Sequence, residues 1–455
     1  MASVPEDQNE PTEGQADSVL LQYHLLDGTP LGTYIDIDDW EEIREEGTRV
    51  ARIITDWLDN HNQTDFVDPM FPPNTGYTNA VPDPDTLTTL PWRDENCKRA
   101  ICELQEPDGS HFVHCSRSIL RKVLEDLADM GYEGRAGSEI EFNLLEGFDI
   151  EEATGRGAGY IHETSVTKLG APYTLKPMEE QHSYLTELRQ AMKSMGFRLE
   201  GIHKEASPGM FEAIIRYSPA LQQADTISTF RMAAKSVGRK HGLTPIFLPR
   251  PLPDVQGNSQ HYHISLWQDG ENAFYDKNGD EEVADIAYHF IGGIFEHAAG
   301  LTPLCAPTIN SYKRLQPMLG APINKTYGHD NQSCMVRIPT NRGDRTRIEL
   351  RLPDNAANPY LALAGIFAAG MDGVENEIDP GEPTSVNVYD PSTGNYEQLP
   401  TSLSAAIEAL ENDELLVNTI GEDAVTQFAK LKEDEVTRFN QAVTDWEIRE
   451  YITRL

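Results

Sequence analysis

The sequence predicts an α+β fold built on an antiparallel sheet. Two observations carry that expectation: helical periods alternate with strand patterns through most of the chain, and several of the strands set a charged face against an apolar one. In "GSEIEFNLL", residues 137 to 145, Glu139, Glu141 and Asn143 point one way while Ile140, Phe142 and Leu144 point the other. The apolar half faces a core. The acidic half is either the wet side of a sheet, the ordinary arrangement, or a surface with a chemical use.

Residues 1–17 are polar and acidic and read as a disordered tail. Residues 18–113 form a small region of short strands, "SVLLQYHLLDG" and "LGTYIDI", followed by an expected helix over 41–60. The Pro-, Gly- and Asn-rich "DPMFPPNTGYTNAVPDPDT" predicts a structured loop or flap. Ser116 is the expected N-cap of a helix with Ile119, Leu120, Val123 and Leu127 on one side, and that helix opens a larger domain over 114–455. Helical periods follow at 179–195, 219–240, 284–300 and 358–376, and from 433 to the C-terminus.

With 455 residues the chain is long enough for two or three domains, and 39% hydrophobic content supports folded cores. Its 74 acids against 37 basic residues leave a formal charge of −37, which argues against nucleic acid and anionic membranes as partners. An acidic surface of this kind suits concentrated salt, where screening removes self-repulsion. The five cysteines are scattered without a C-x-x-C, so neither a disulfide framework nor a zinc site is expected. No signal peptide is read at the N-terminus, and the longest apolar tract, near 357–371, is too short to span a bilayer and contains Pro359. A soluble cytoplasmic protein is expected.

Further segments repeat the charged-face pattern. "HKEASPGMFEAIIRY" carries Glu205 and Glu212 around a Pro208–Gly209 turn. "NSQHYHISLW" aligns His261, His263 and Ser265, "TRIELRLPD" aligns Arg347, Glu349 and Arg351, and "CMVRIP" adds Arg337. A single histidine on a strand is usually a satisfied structural residue, but five such segments are hard to dismiss. Glutamates with one or two histidines suit Mg²⁺ or Mn²⁺, and neighbouring arginines suit phosphate and carboxylate groups. Two metals and an anionic phosphorylated substrate would balance the charges.

Taken in order, "GSEIEFNLL", "HKEASPGMFEA", "GNSQHYHISLW", "NSYKRL", "VRIP" and "RIELRLPDNAANPYLALAGIFAAGMDG" resemble the glutamine synthetases, in particular type I enzymes and their glutamate–amine ligase relatives. The resemblance runs from "VPDPDTLTTLPW" to "IDPGEPTSVNVYD". It implies an N-terminal β-grasp domain over 18–113, a catalytic domain over 114–455, and active sites shared between subunits of a homo-oligomer, usually a dodecamer of two hexameric rings. It implies ATP as co-substrate, two divalent ions, glutamate whose γ-carboxylate accepts the phosphoryl group, and an amine nucleophile that displaces the phosphate. The first metal would be held by Glu141, Glu205 and Glu212, the second by Glu139, His261 and Glu349. Glutamate would meet the backbone of Gly257 and the guanidinium groups of Arg314 and Arg351. Nucleotide contacts would be Glu200, Tyr217, His263, Ser265 and Arg347, with Arg337 near the phosphates and Asp83 as a flap residue.

Three departures from the family pattern bear on the substrate. In "NSYKRLQPMLGAPI" the ammonia-using members carry a glutamate before the Ala-Pro, where this chain has Gly320, which cannot accept a proton but leaves room for a larger nucleophile. An arginine expected at the transferring phosphate is Gln332, with Arg342 or Arg345 as replacements. The ammonium-binding Asp-Gly-Ser-Ser segment is absent from "DPMFPPNTGYTN". The expectation is therefore a glutamate–amine ligase, with putrescine or another polyamine as the leading nucleophile and acids of the Asp65 to Asp68 stretch receiving its distal ammonium. The alternatives are an ordinary glutamine synthetase and a catalytically silent paralogue that binds glutamate or nucleotide. Tyr389, in "NVYD", sits where some bacterial members are modified, but carries no regulatory expectation by itself.

Overall fold

The computed structural model describes residues 16–60, 63–66, 74–93 and 96–454. Of the expected acidic tail only Ala16 and Asp17 fall within this range, and the side chains of the Asp65 to Asp68 stretch lie outside it. Two large sheets organise the described residues, with a third, two-stranded one formed by Trp57–Asn60 and Gln63–Phe66. The first orders Pro30–Asp36, Ser18–His24, Cys97–Gln105, Tyr77–Pro82 and Thr48–Ala51, with Thr88–Thr89 beside Cys97–Gln105. Ser18–His24 and Cys97–Gln105 run parallel. Val19, Leu21, Ala100, Cys102 and Leu104 form the core of this sheet.

The helix expected over 41–60 is short, Trp40–Glu46. Gly47 ends it at φ +72°, donating its N–H to Ile43, and a Cβ there would lie 2.8 Å from the Ala80 carbonyl oxygen. Thr48–Ala51 then pairs with Tyr77–Pro82, so part of the expected loop is a strand, with Pro82 at its last position where the missing N–H costs least. Ser116 is the first helical residue, not the cap. Cys115 holds the N-cap position without a side-chain cap bond, and its Sγ instead accepts from the Leu104 N–H.

The second sheet has nine strands. Its path is Leu199–Lys204, Met210–Pro219, Glu133–Glu146, Gln260–Gln268, Ile348–Leu350, Val336–Ile338 and Tyr327–His329, with Leu243–Ile246 beside Glu133–Glu146 and Glu271–Asn272 beside Gln260–Gln268. Every pairing is antiparallel except that of Tyr327–His329 with Val336–Ile338. Helices Ser116–Asp129, Ala220–Lys240 and Pro359–Glu375 pack on one side of it. Ile140, Phe142 and Leu144 are fully buried there, and Phe142 meets Phe230 edge to face at 5.9 Å. The opposite face is not a wet one: Glu141 is 2% exposed, and Asn143 and Glu349 are fully buried.

A charged seam joins the two sheets. Arg117 forks onto Asp225 at 2.9 and 3.0 Å, reaches Glu103 and Asp83 at 2.8 Å each, and Tyr360 donates to Asp225 at 2.7 Å. At the C-terminal end the helical period expected from 433 begins earlier, in Glu422–Gln441, and restarts at Asp445–Tyr451 behind a Thr444–Glu447 capping box.

Candidate active site

Strand register brings the acidic residues together. Glu139 lies opposite His261, Glu141 opposite Glu212, and Glu212 opposite His203. Glu349 lies opposite His263 on one side and Arg337 on the other. Facing residues of an antiparallel pair project to the same side, so these pairings build one continuous polar face.

Two groups of ligand atoms converge on that face, each within 4.8 Å: Glu139, His261 and Glu349, and His203, Glu205 and Glu212. In the first, His261 Nδ1 is 3.2 Å from Glu139 and 3.6 Å from Glu349. This is the expected second metal set. In the other, His203 Nε2 is 3.0 Å from Glu205 and 3.7 Å from Glu212. Glu141 is the adjoining carboxylate, one strand over from Glu212, and it accepts from the backbone N–H of Ser259.

The electrostatics of the face fit divalent cations. Burial, and then repulsion from Glu139, Glu141, Glu205 and Glu349, pushes the Glu212 carboxyl far above the usual range. Burial likewise raises Glu141 against the opposing pull of Ser259 N–H and Arg314. Burial and the nearby Arg351 lower His261, so its ring stays neutral, the form that binds a metal, and its Nε2 is buried without a partner. Acids that repel one another in a buried oxygen-rich cluster with neutral imidazole are a donor set suited to Mg²⁺ or Mn²⁺.

The arginines differ in their exposure to this face. Arg337 donates to Glu349 at 2.7 Å and to Asp330 at 2.9 Å, and Arg351 pairs with the other Glu349 oxygen. Arg347 donates to His263 Nδ1 at 3.0 Å, while His263 Nε2 meets Glu139 at 2.9 Å. Arg314 is 1% exposed and faces inward, donating to Ser259 Oγ and the Leu352 carbonyl at 2.8 Å each and to the Arg351 carbonyl at 3.0 Å. It therefore supports the segment that carries Glu141's backbone donor and does not open onto a pocket in this conformation. Gly257 is a glycine of necessity, since a Cβ would lie 2.2 Å from the Pro249 carbonyl oxygen.

Tyr217 is 38% exposed and stacks on Trp267 at 6.2 Å, and Arg135 covers Trp267 at 4.1 Å. Ser265 accepts from Trp267 Nε1 at 3.0 Å, and Glu200 is exposed within electrostatic reach of Arg347. The structure does not bring Asp83 to the acidic face of its own chain. Asp83 is bound at 2.8 Å by Arg117 and at 3.1 Å by Arg121, and despite burial these arginines hold its carboxyl below the usual range, which makes it a structural acid and a poor proton acceptor. Arg342 turns away to the backbone oxygens of Glu281, Pro339 and Asn341, and Arg345 contributes its carbonyl to Arg347.

His203 and Trp267 were not among the residues expected from sequence. The signal for His203 was its position two residues before Glu205, but its tie to Glu212 depends on strand register, which local sequence does not specify. Tyr389, noted in the sequence without a role, lies beside this face: its phenol donates to the Gln332 carbonyl at 3.3 Å and hydrogen-bonds Arg351.

A sequence profile for the glutamine synthetase catalytic domain matches residues 113–451. Glutamine synthetase of Thermus thermophilus is 38% identical over 386 residues, covering 82% of this chain and 84% of that one. That of Halobacterium salinarum is 35% identical, covering 82% of each. A GmaS/ADP complex superposes with a TM-score of 0.85 at 30% identity, covering 97% of this chain and 98% of that one, and GmaS without ligand gives 0.83 at 31% identity, covering 96% of this chain and 97% of that one. An α+β frame with a buried acidic face that suits divalent ions, matched to that catalytic-domain profile, places the chain among the ligases. The chain belongs to the glutamine synthetase family.

Proposed function

We propose that the chain is a glutamate–amine ligase. ATP phosphorylates the γ-carboxylate of glutamate, and a primary amine such as putrescine or another polyamine displaces phosphate to leave a γ-glutamyl amide. The observation that carries this reading is Gly320, which precedes Ala321–Pro322 at φ +78° and bears no carboxylate at the place where ammonia-using relatives deprotonate ammonium. The high similarity to GmaS over nearly the whole chain supports it.

In this reading Glu141, Glu205 and Glu212, with His203 beside them, hold one divalent ion, and Glu139, His261 and Glu349 hold the other. Bound there, the ions would polarise and neutralise the transferring phosphoryl group. Arg337 and Arg347 stand at the rim of the second set and orient phosphate oxygens. Arg351 and the Gly257 backbone receive glutamate, Arg314 braces Arg351 from behind, and the exposed face of Tyr217 carries the base. The working form is a ring-shaped homo-oligomer of twelve subunits in the cytoplasm.

The test is phosphate release by purified protein with ATP, glutamate and Mg²⁺ or Mn²⁺ in high salt, comparing ammonium with methylamine, putrescine, spermidine and ethanolamine. Saturable release with one amine, and its γ-glutamyl product by mass spectrometry, is the expected result. The names of the curated relatives favour a second reading, a glutamine synthetase whose base comes from elsewhere. Equal or better turnover with ammonium would establish that one.

A further inference from the structure

We propose that Gln256 is the specificity-determining residue for the nucleophile. Its carboxamide stands where a side chain on residue 320 would project, and it offers the incoming primary amine a neutral hydrogen-bond acceptor in place of a base. The inference rests on the amine-ligase reading above.

The geometry is local and specific. A Cβ built on Gly320 would lie 3.1 Å from Gln256 Cδ, 3.2 Å from Cγ and 3.4 Å from Oε1. Gly320 also adopts φ +78°, a backbone conformation strained for any side chain. The positive φ disfavours a side chain at this position, and the group that borders the bare Cα is the Gln256 side chain.

The Gln256 backbone is held in place. Its carbonyl accepts from Ser207 Oγ at 2.5 Å, and Ser207 is two residues beyond Glu205 on the turn that carries the acidic group. The following residue, Gly257, sits against the Pro249 carbonyl with no room for a Cβ. Gln256 therefore spans from the acidic turn to the Gly320 loop. Its side chain is half-buried and its amide makes no hydrogen bond to the described residues. An amide oxygen accepts N–H donors but takes up no proton at neutral pH, so it can orient an incoming nitrogen without acting as its base. A primary alkylamine is itself largely protonated at neutral pH, so discrimination rests on space: its carbon chain fills the volume over the Gly320 Cα that ammonium leaves empty. Gln256 supplies neither nucleophile with a counter-charge or a base; the nucleophile sheds one proton to solvent before attack, and the proton released on forming the amide leaves with the phosphate.

The test uses the full-length enzyme and measures kcat and KM for its best amine and for ammonium, alongside KM for ATP and glutamate. Gln256→Ala and the near-isosteric Gln256→Met are expected to lower the amine-to-ammonium ratio of kcat/KM tenfold or more, with KM for ATP within twofold of the parent. Gly320→Glu alone is expected to gain no ammonium activity, because its side chain meets Gln256. Gly320→Glu combined with Gln256→Ala is expected to gain at least tenfold over Gly320→Glu. A wild-type enzyme that prefers an amine, with the ratio unchanged in both folded Gln256 variants, would overturn the role of Gln256 while leaving the ligase reading intact. A wild-type enzyme that prefers ammonium would overturn the reading itself, and this role with it.

Discussion

Glu212 is the residue at which charge repulsion on the acidic face is greatest, because burial and four neighbouring glutamates all oppose its ionisation. Replacing it separates stability from metal binding. Glu212→Gln is expected to stabilise the metal-free protein by roughly 1 kcal/mol near neutral pH, since folding then no longer has to protonate a carboxyl that the face holds far above its usual range. The same change is expected to weaken Mn²⁺ binding at least tenfold and to cut turnover about a hundredfold. Thermal unfolding in chelator, Mn²⁺ calorimetry and phosphate release check the three parts, and a destabilised metal-free variant would refute the repulsion argument. The candidate ligands were legible as residues because Glu, His and Arg recur at period two on strands. Their partners were not: Asp83 reads like a flap acid in "VPDPDT", yet Arg117 and Arg121 approach it from a distant helix.

At the scale of elements, the Gly257 segment, one contact between strands and one between helices make separable predictions. Gly257→Ala must displace the Pro249 carbonyl, so a rise in KM for glutamate of tenfold or more is expected, with KM for ATP little changed. Trp267→Leu removes the support under Tyr217 and is expected to raise KM for ATP about tenfold while kcat falls by less than threefold, as read from initial rates. His297 clamps three helical segments, with Nδ1 2.9 Å from Asp413 and Nε2 3.2 Å from Asp372. Burial alone would lower its pKa, but the two carboxylates outweigh burial and raise it. A raised folded-state pKa means this stabilisation is complete below the unfolded value of about 6.5 and is lost as pH climbs through the folded value. His297→Gln is therefore expected to cost roughly 1–2 kcal/mol at pH 6 and much less at pH 9, measured by denaturant unfolding. A constant difference across that range would rule out the clamp.

For the whole molecule, the net charge of −37 is the dominant quantity. Raising salt from 0.1 to 1 M shortens the screening length from about 10 to about 3 Å, so the midpoint of thermal unfolding is expected to rise by several degrees between 0.1 and 2 M NaCl. A flat or falling midpoint would show that self-repulsion does not limit stability. Among the described residues no helix is long and apolar enough to cross a membrane. The seam around Arg117 ties Asp83 and Glu103 of the first sheet's region to Asp225 of the helix Ala220–Lys240. Asp225→Asn leaves Arg117 with a buried, partly uncompensated charge, and a loss of about 3 kcal/mol is expected in the same unfolding measurement.

By itself the sequence determined the α+β class, the apolar sides of the strands and the residue types of the acidic face. Those properties are written in period and residue type, and Ile140, Phe142 and Leu144 are buried as their alternation requires. It also located the ends of the long helix Ala220–Lys240 to within a residue of the expected 219–240. The tertiary structure decided which acids share a site. Glu139 and Glu349 are far apart along the chain, and only the order of strands across the nine-stranded sheet sets both beside His261. It also decided that the acidic face is buried, that His203 joins Glu205 and Glu212, that Asp83 is spent in a salt bridge, and that Gln256 borders Gly320. Each of these is a non-local pairing. Strand order and register are set by how whole faces pack, and a local window of sequence does not contain that information.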